Sequence, residues 1–353
     1  MISIFEHLTN ETDNVEQYLE DILDELWGDL NPKKDNDEYR SYSLLSRVEK
    51  FGVMVSSDEH KNKFGHDASI RHAGFADYIS KEDKLKKIIT SKPAGFKQIK
   101  NDIYTFLSPD DLYVTEGDTF KSTDFGKILL KTVFNYTAYR SSKHCYKRYI
   151  KLHFKGVTCP YCNENPVKIV GNEDRKEGDS RLLFDLDHFY PQAGHPYLAL
   201  SFYNHIPSCK ICNQTYKGSK DFSINTHIHP FHRCFDSSYQ FKLNSSVLRN
   251  GKVNKVTLKK LTGVIDELSS DLQLEQRYQS NINLARLPKL VDILSKNTHL
   301  LKTESVGTKE YDLLLGLLDA YGLQRDKSKI IETIYGKLQR DVVQMFDVKK
   351  TIM

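Results

Sequence analysis

Two Cys-x-x-Cys pairs constrain the fold of this chain more strongly than any other feature of its sequence. Cys159 and Cys162 form the first pair, and Cys209 and Cys212 form the second. A single pair is ambiguous, because redox and metal sites share this spacing. Two pairs together supply the four thiolates of a closed tetrahedral zinc site, which is the structural type of zinc site. We therefore predict that these four cysteines bind one structural Zn²⁺ ion.

The chain between and beside these pairs carries side chains for a second site. It contains the run Leu-Asp-His-Phe-Tyr-Pro at residues 186–191, and Asn213 follows the last cysteine directly. An imidazole titrates near neutral pH and can take a proton from water, so His188 is the candidate general base. Asp187 and Asn213 offer hard oxygen ligands, which suit Mg²⁺ or Mn²⁺. These residue types predict an open catalytic site next to a closed structural one.

These motifs resemble the HNH endonuclease family, also called the His-Me finger or ββα-metal family, and particularly members in which Cys-x-x-Cys pairs flank the motif. The resemblance covers residues 145–235. In the family pattern an Asp-His pair on a first strand is followed by an asparagine in a loop and by a histidine or asparagine at the start of a helix. Asp187, His188, Asn204 and Asn213 match these positions, the last one as asparagine where many relatives have histidine.

The resemblance implies hydrolysis of phosphodiester bonds, and it implies roles for these side chains. His188 is the general base, and Asp187 and Asn213 hold the catalytic Mg²⁺ or Mn²⁺. Asn204 has a supporting role, which is to hold the loop backbone so that His188 points correctly. Asp185 precedes Asp187 by two positions. It therefore faces the same side of a strand and is a secondary candidate for the cation.

Three functions remain open at this point. The first is a metal-dependent endonuclease acting on DNA as an effector of anti-phage defence, because the motif with a helical C-terminal extension looks like the nucleases of Septu-type systems. That resemblance implies a separate ATPase partner protein, and the chain has no Gly-x-x-x-x-Gly-Lys-Ser/Thr motif of its own. The second is an HNH nuclease acting on RNA such as tRNA. The third is a catalytically inactive zinc module that binds nucleic acid.

The predicted fold class is α+β and mostly helical, with a central zinc-stapled ββα-metal HNH module between helical N-terminal and C-terminal regions. We expect an N-terminal region of unknown role at residues 1–122 and the nuclease domain, with a preceding basic helix, at residues 123–263. Residues 264–353 form the predicted helical C-terminal domain. At 353 residues the chain is long enough for several domains with their own cores.

Hydrophobic spacing predicts individual elements in the first half of the chain. Apolar residues recur at helical spacing over residues 15–27, so a helix is expected there, and its outer face is acidic. That face either docks a basic partner or is a solvated surface. Residues 51–55 are rich in β-branched and aromatic types and favour a short strand. One long helix is expected over residues 123–153.

The second half predicts strands followed by helices. Residues 239–262 are expected to form strands around a turn at Asn250 and Gly251, a strong hairpin signal. The rest is predicted to be helical, and its last apolar stripe consists of Ile330, Ile334, Leu338, Val342 and Phe346.

Positive charge is concentrated next to the zinc motif. The net charge is only +4, but residues 140–155 carry six Lys or Arg side chains and no acid. Such a surface suits the phosphate backbone of nucleic acids, and a solvated helix face is the alternative. The predicted nucleic-acid contacts are Lys143, Lys147, Arg148, Lys151, Lys155, Lys217 and Lys220.

The sequence favours a cytoplasmic protein. No apolar run approaches the roughly 18 residues needed to span a bilayer, and no basic-then-apolar signal segment is recognisable at the N-terminus. Four of the six cysteines have zinc spacing, which suits a reducing compartment better than a disulfide framework.

Overall fold

The protein is α+β and mostly helical, which confirms the predicted class at this level. A computed structural model of the protein describes residues 3–171, 181–244, 247, 252–261, 263, 265–283 and 285–353. Within these residues the strands form five antiparallel pairs, and each pair is a separate two-stranded sheet. Helices packed around a hydrophobic core therefore dominate the fold, and the strand pairs are local features.

The chain before the first strand is helical. Its α-helices are α1 (Ile4–Leu8), α2 (Val15–Leu30), α3 (Leu44–Val55), α4 (Asp58–Phe64), α5 (His66–Ser80), α6 (Glu82–Thr90), α7 (Phe96–Ile103) and α8 (Pro109–Leu112). Helix α2 buries the predicted stripe, including Leu19, Ile22 and Leu26, so the predicted helix over residues 15–27 is confirmed.

Residues 51–55 lie in α3, so the prediction of a strand there is wrong. The helix begins after Ser43, whose hydroxyl accepts a hydrogen bond from the backbone N–H of Ser46 in the first turn. Phe51 and Val55 are one turn apart on the buried face, whereas Val53 is exposed. The helical packing of this stripe outweighs the β propensity of single residues.

The single helix predicted over residues 123–153 is also wrong. After the hairpin of β1 (Tyr113–Glu116) and β2 (Thr119–Ser122), the chain forms α9 (Asp124–Thr132), α10 (Tyr136–Arg140) and α11 (Lys143–Lys151). Each helix begins after a residue whose side chain accepts a hydrogen bond from the first turn, namely Thr123, Asn135 and Ser142. Side chains of this kind favour a new helix start over continuation of the previous helix.

Short strands and one π-helix surround the cysteines. The strands are β3 (Val157–Thr158), β4 (Pro166–Val167), β5 (Ile169–Val170), β6 (Arg181–Leu182), β7 (Asp185–His188) and β8 (His205–Ser208). The π-helix at Ile211–Lys217 follows β8. Strands β7 and β8 pair in antiparallel register, with His188 opposite His205. The chain order here is therefore strand, loop, strand and helix.

The basic helix α11 packs on the acidic face of α2. Arg148 Nη2 lies 2.6 Å from Asp29 Oδ2, and Lys151 Nζ lies 2.6 Å from Glu25 Oε1. Arg148 is only 3% exposed and also donates to the hydroxyl of Tyr139. The prediction that Arg148 and Lys151 contact nucleic acid is therefore not supported by their positions. The acidic face of α2 docks a basic helix of the same chain.

The C-terminal third contains two strands and then helices, as predicted. Strands β9 (Tyr239–Leu243) and β10 (Val256–Lys260) pair in antiparallel register, while the predicted turn at Asn250 and Gly251 lies outside the described residues. The helices are α12 (Leu268–Asp271), α13 (Leu274–Ser280), α14 (Leu287–Lys296), α15 (Lys309–Tyr321) and α16 (Gly336–Phe346).

The last predicted stripe is interrupted. Tyr335 has a φ of 60°, a left-handed conformation, and α16 begins only after it. Ile334 is consequently 45% exposed and does not share the buried face of Leu338 and Val342.

Buried side chains of all three predicted regions belong to one hydrophobic cluster. At the start of α1, the Ile4 N–H donates to the carbonyl of Pro230 at 3.0 Å, and in α16 the Asp341 carboxylate accepts from the Phe241 N–H at 2.7 Å. The predicted domain boundaries stay predictions, and contacts cross both of them. In the part of the chain that the structure describes, every helix is too short or too polar to cross a membrane.

The docking of α11 on α2 predicts an effect on stability. Arg148→Met should lower the free energy of unfolding by about 2–4 kcal/mol, because it leaves Tyr139 and Asp29 without a buried donor. Urea denaturation of the purified variant measures this. Lys147→Met, on the exposed side of the same helix, is the control and should change stability by less than about 0.5 kcal/mol. Equal effects of the two variants would contradict the proposed importance of the contact.

Candidate functional site

The four cysteines of the two pairs come together in the interior. Their sulfur atoms all lie within 4.8 Å of one another, and the sulfurs of Cys162 and Cys209 are 3.9 Å apart. Zinc–sulfur bonds of about 2.3 Å require sulfurs roughly 3.8 Å apart in a tetrahedral site. All four side chains are buried thiols outside any disulfide. The cluster can therefore hold a metal ion such as zinc.

The surrounding backbone donates hydrogen bonds to the sulfurs. These bonds run from Glu164 N to Cys162 Sγ at 3.4 Å, from Cys209 N to Cys159 Sγ at 3.3 Å and from Cys212 N to Cys209 Sγ at 3.4 Å. Donors of this kind stabilise the thiolate form, which is the form that binds metal. The geometry and the donor set fit zinc.

Arg277 of α13 also contacts the cluster, and sequence spacing gave no sign of it. Its Nη1 donates to the sulfur of Cys212 at 3.4 Å, and its Nη2 lies 2.6 Å from the carboxylate of Glu164. Burial lowers the pKa of Arg277, but the sulfurs of Cys212 and Cys162 outweigh it and raise the pKa. A positive charge fixed beside the sulfurs offsets part of the negative charge of four thiolates.

A cavity of about 390 Å³ opens beside β7. Its charged and polar lining includes Tyr136, Arg140, Asp185, His188, Asn213 and Lys217. Helix α10, strand β7 and the π-helix each contribute to it. The structure therefore brings four of the predicted site residues to one cavity, namely Asp187, His188, Asn213 and Lys217, together with Asp185 and Arg140.

His188 ends β7 and is almost fully buried. Its Nε2 lies 3.2 Å from the carbonyl oxygen of Ala199, so the proton is on Nε2 and the lone pair is on Nδ1. Burial is the main reason that the pKa of His188 is lowered to about 4; the bond to Ala199 opposes this shift, and the charge of Lys217 adds to it. The ring is therefore neutral near pH 7, which is the state in which an imidazole can accept a proton.

Asn204 closes the loop between β7 and β8. Its Oδ1 accepts from Tyr190 N at 2.7 Å, and its Nδ2 donates to the carbonyls of Tyr190 at 3.0 Å and Leu198 at 3.2 Å. All of these groups are buried. The side chain thus ties both halves of the loop together, and the loop carries Ala199, which orients His188.

The N-terminal region supports the same loop. Phe120 of β2 packs so tightly on Gly194 that a Cβ at this glycine would lie 2.4 Å from the phenyl ring. Nearby, the hydroxyl of Ser122 donates to the carbonyl of Ala193 at 3.2 Å. Phe120 and Ser122, which belong to the N-terminal region of unknown role, therefore support the loop.

The predicted cation pair of Asp187 and Asn213 is not assembled. Asp187 is 2% exposed, and its carboxylate is bound by the hydroxyl of Tyr161 at 2.6 Å and the ammonium of Lys217 at 3.0 Å. Asn213 instead donates to Asp185 Oδ2 at 2.9 Å. These positions do not fit the predicted Mg²⁺ or Mn²⁺ site on Asp187, because both of its oxygens already have partners.

The predicted nucleic-acid contacts separate into two groups. Lys217 is 2% exposed and paired with Asp187, and Lys220 is paired with Asp271 at 3.2 Å, so neither is a free surface cation. Lys143, Lys147 and Lys155 are exposed.

Arg140 was not among the predicted contacts, although it lies in the basic run. It lines the cavity and donates to the carbonyl of Phe184 at 2.8 Å.

One further group of possible metal ligands lies apart from the cysteines within the described residues. It consists of His227, Glu267 and Asp271. His227 Nε2 lies 3.0 Å from Asp271, and the ammonium of Lys220 lies 3.2 Å from the same carboxylate. The positive charge of Lys220 takes the place beside Asp271 that a cation would need.

Comparisons with known proteins return no relative: no family model, no curated protein and no solved structure matches the chain.

The hydrogen bonds of the Asn204 side chain predict what its removal does to stability. Asn204→Ala should lower the free energy of unfolding by about 2–4 kcal/mol, because buried backbone groups of Tyr190 and Leu198 lose their partners. Thermal or urea unfolding measures the change. Gln192→Ala is the control, since Gln192 is exposed on the same loop and should contribute less than about 0.5 kcal/mol. An Asn204→Ala protein as stable as the wild type would contradict the loop-holding role.

Proposed function

We propose that this chain is an endonuclease of the HNH type that hydrolyses phosphodiester bonds in DNA. The observation that carries the proposal is the neutral, oriented imidazole of His188 at a cavity that also holds Arg140. The strand, loop, strand and helix order around His188 agrees with a zinc-stapled ββα-metal module. The choice of DNA, a role in anti-phage defence, a separate ATPase partner and a cytoplasmic location come from the sequence and its resemblance alone.

In the proposed reaction His188 accepts a proton at Nδ1 from the water that attacks phosphorus. As the new P–O bond forms, the bond from phosphorus to the leaving sugar oxygen breaks, and that oxygen takes a proton from solvent water. The bond from Nε2 to Ala199 keeps the ring in the tautomer that leaves Nδ1 available. Arg140 is the cationic side chain that lines the cavity without a carboxylate partner among the described residues, so its guanidinium suits a phosphate oxygen. Asn204 acts indirectly by keeping the loop closed over the ring.

Two alternatives remain proposals. Attack on phosphorus does not need contact with the sugar, so RNA such as tRNA is a substrate of the same site. A catalytically inactive zinc module that binds nucleic acid is favoured by one observation: Asp187 is sealed by Tyr161 and Lys217. The exposed Lys143, Lys147 and Lys155 would then serve binding only.

We further propose that the cysteine cluster binds one structural Zn²⁺ ion. Metal analysis should find about one zinc per chain. Cys159→Ser or Cys212→Ser should give zinc-poor, protease-sensitive protein, because the binding energy of a structural zinc is folding energy. Cys234→Ser, outside the cluster, is the control and should keep its zinc. A stable, zinc-free wild type would end this proposal.

Cleavage assays test the nuclease itself. Supercoiled plasmid, single-stranded DNA and total tRNA are incubated with purified protein in Mg²⁺ or Mn²⁺ and in EDTA. His188→Ala should lower cleavage by at least about 100-fold, the effect of a lost general base, while zinc content and melting temperature stay nearly unchanged.

His66→Ala is the matched control, because His66 is exposed on α5, and it should retain full activity. Cleavage of tRNA without cleavage of either DNA would show that the substrate is RNA. Full activity of a verified His188→Ala preparation would show that His188 is not the base, and no cleavage by the wild type would favour the inactive module.

A further inference from the structure

The carboxylate of Asp187 is closed to an added cation. The hydroxyl of Tyr161 donates to one oxygen at 2.6 Å, and the ammonium of Lys217 lies 3.0 Å from the other. The side chains of Lys217 and Asp187 are 1% and 2% exposed. A divalent cation at this carboxylate would have to displace a buried positive charge or share the carboxylate with it.

Lys217 is also held by groups other than Asp187. Its ammonium donates to the carbonyl of His188 at 2.7 Å and lies 5.1 Å from the centre of the Phe222 ring. Moving it would leave the almost fully buried Asp187 without its counterion and this carbonyl without its donor, which is costly. The ion pair is therefore a fixed part of the fold.

Asp185 has the opposite environment on the same strand. It is half-buried and lines the cavity, and its Oδ2 accepts from Asn213 Nδ2 at 2.9 Å and from Gln214 Nε2 at 2.7 Å. Both aspartates line the cavity, which also holds Lys217 and Arg140. Among the described residues, however, the groups bonded to the side chain of Asp185 are these two neutral amides. Each amide also carries a carbonyl oxygen, and rotation of the amide exchanges donor and acceptor.

We propose that Asp185 and Asn213, with Gln214 at the rim, form a site for a hydrated Mg²⁺ or Mn²⁺ ion, and that Asp187 is not a ligand. Mg²⁺ sites commonly use one or two carboxylates and several water molecules, and Mn²⁺ accepts the same oxygen ligands. One carboxylate with two amides beside an open cavity fits this pattern. This cation site rests on the proposed nuclease function, but Mn²⁺ binding tests it without requiring activity.

Titration of Mn²⁺ into the zinc-loaded full-length protein, followed by the electron paramagnetic resonance signal of free Mn²⁺, measures the affinity. Asp185→Asn should weaken binding by at least about 10-fold, because it removes the only carboxylate of the site. The double variant Asp187→Asn with Lys217→Met should bind within about 3-fold of the wild type, since it replaces the buried ion pair by neutral groups and leaves Asp185 intact.

Asp271→Asn is the matched control, because Asp271 belongs to the other possible ligand group, and it should leave the affinity unchanged. Loss of Mn²⁺ binding in Asp271→Asn, or in a folded double variant, would overturn the assignment to Asp185. So would a wild type that binds no Mn²⁺.

Lys217→Met alone, in a preparation verified to be folded, provides a second test. It leaves Asp187 without its counterion, so Mn²⁺ binding should tighten or gain a second equivalent. An unchanged titration would contradict the idea that Lys217 occupies the place of a cation. If the wild type binds Mn²⁺ through Asp185 yet cleaves no nucleic acid, the proposed function fails while the cation site stands.

Discussion

The buried contact between Asp187, Tyr161 and Lys217 connects the parts on which the candidate site depends. Tyr161 lies inside the first Cys-x-x-Cys pair, Asp187 lies on β7, and Lys217 ends the π-helix that begins within the second pair. One carboxylate thus joins the cysteine cluster, the strand and the helix through two hydrogen-bonded contacts. Because Lys217 also binds the carbonyl of His188, the position of the proposed base depends on the same contact. The same contacts therefore join the cysteine cluster to the cavity, although the two sites would have different chemistry.

Several charged side chains that the sequence places in one-signed runs form ion pairs with one another within the protein. The basic run and the acidic helix each look like a surface for a partner, but α11 and α2 neutralise each other through Arg148, Lys151 and their acidic neighbours. Lys217 likewise forms an ion pair with Asp187. A run of like charges in a sequence shows that a charged face exists, and it does not show whether solvent, nucleic acid or the same chain covers that face. The cations of the run that remain for a phosphate backbone are Arg140, Lys143, Lys147 and Lys155.

The sequence predicted features that depend on residues close together in the chain. It missed features that depend on which side chains are buried and on where helices end. Cysteine spacing identified four residues that do come together, since paired ligands in tight turns can be recognised without tertiary structure. The period of a strand correctly put Asp185 and Asp187 on one side, but it carries no information on which of them Tyr161 and Lys217 would bury. The three short helices in place of one depend on Asn135 and Ser142 acting as caps, and polar residues of this type also occur within helices. Arg277 is distant in sequence from the cysteines, so only the packed structure reveals it.

Regions on both sides of the motif complete the site. On the N-terminal side, Phe120 fills the space over Gly194 and so fixes the loop that orients His188. On the C-terminal side, Tyr278 donates to the carbonyl of Cys162 while its neighbour Arg277 contacts Cys212. A segment limited to residues 123–263 would lack both supports and would expose the apolar surface that they cover. The motif supplies the chemistry of the proposed nuclease, and the helical regions supply the rigidity that keeps its buried charges paired.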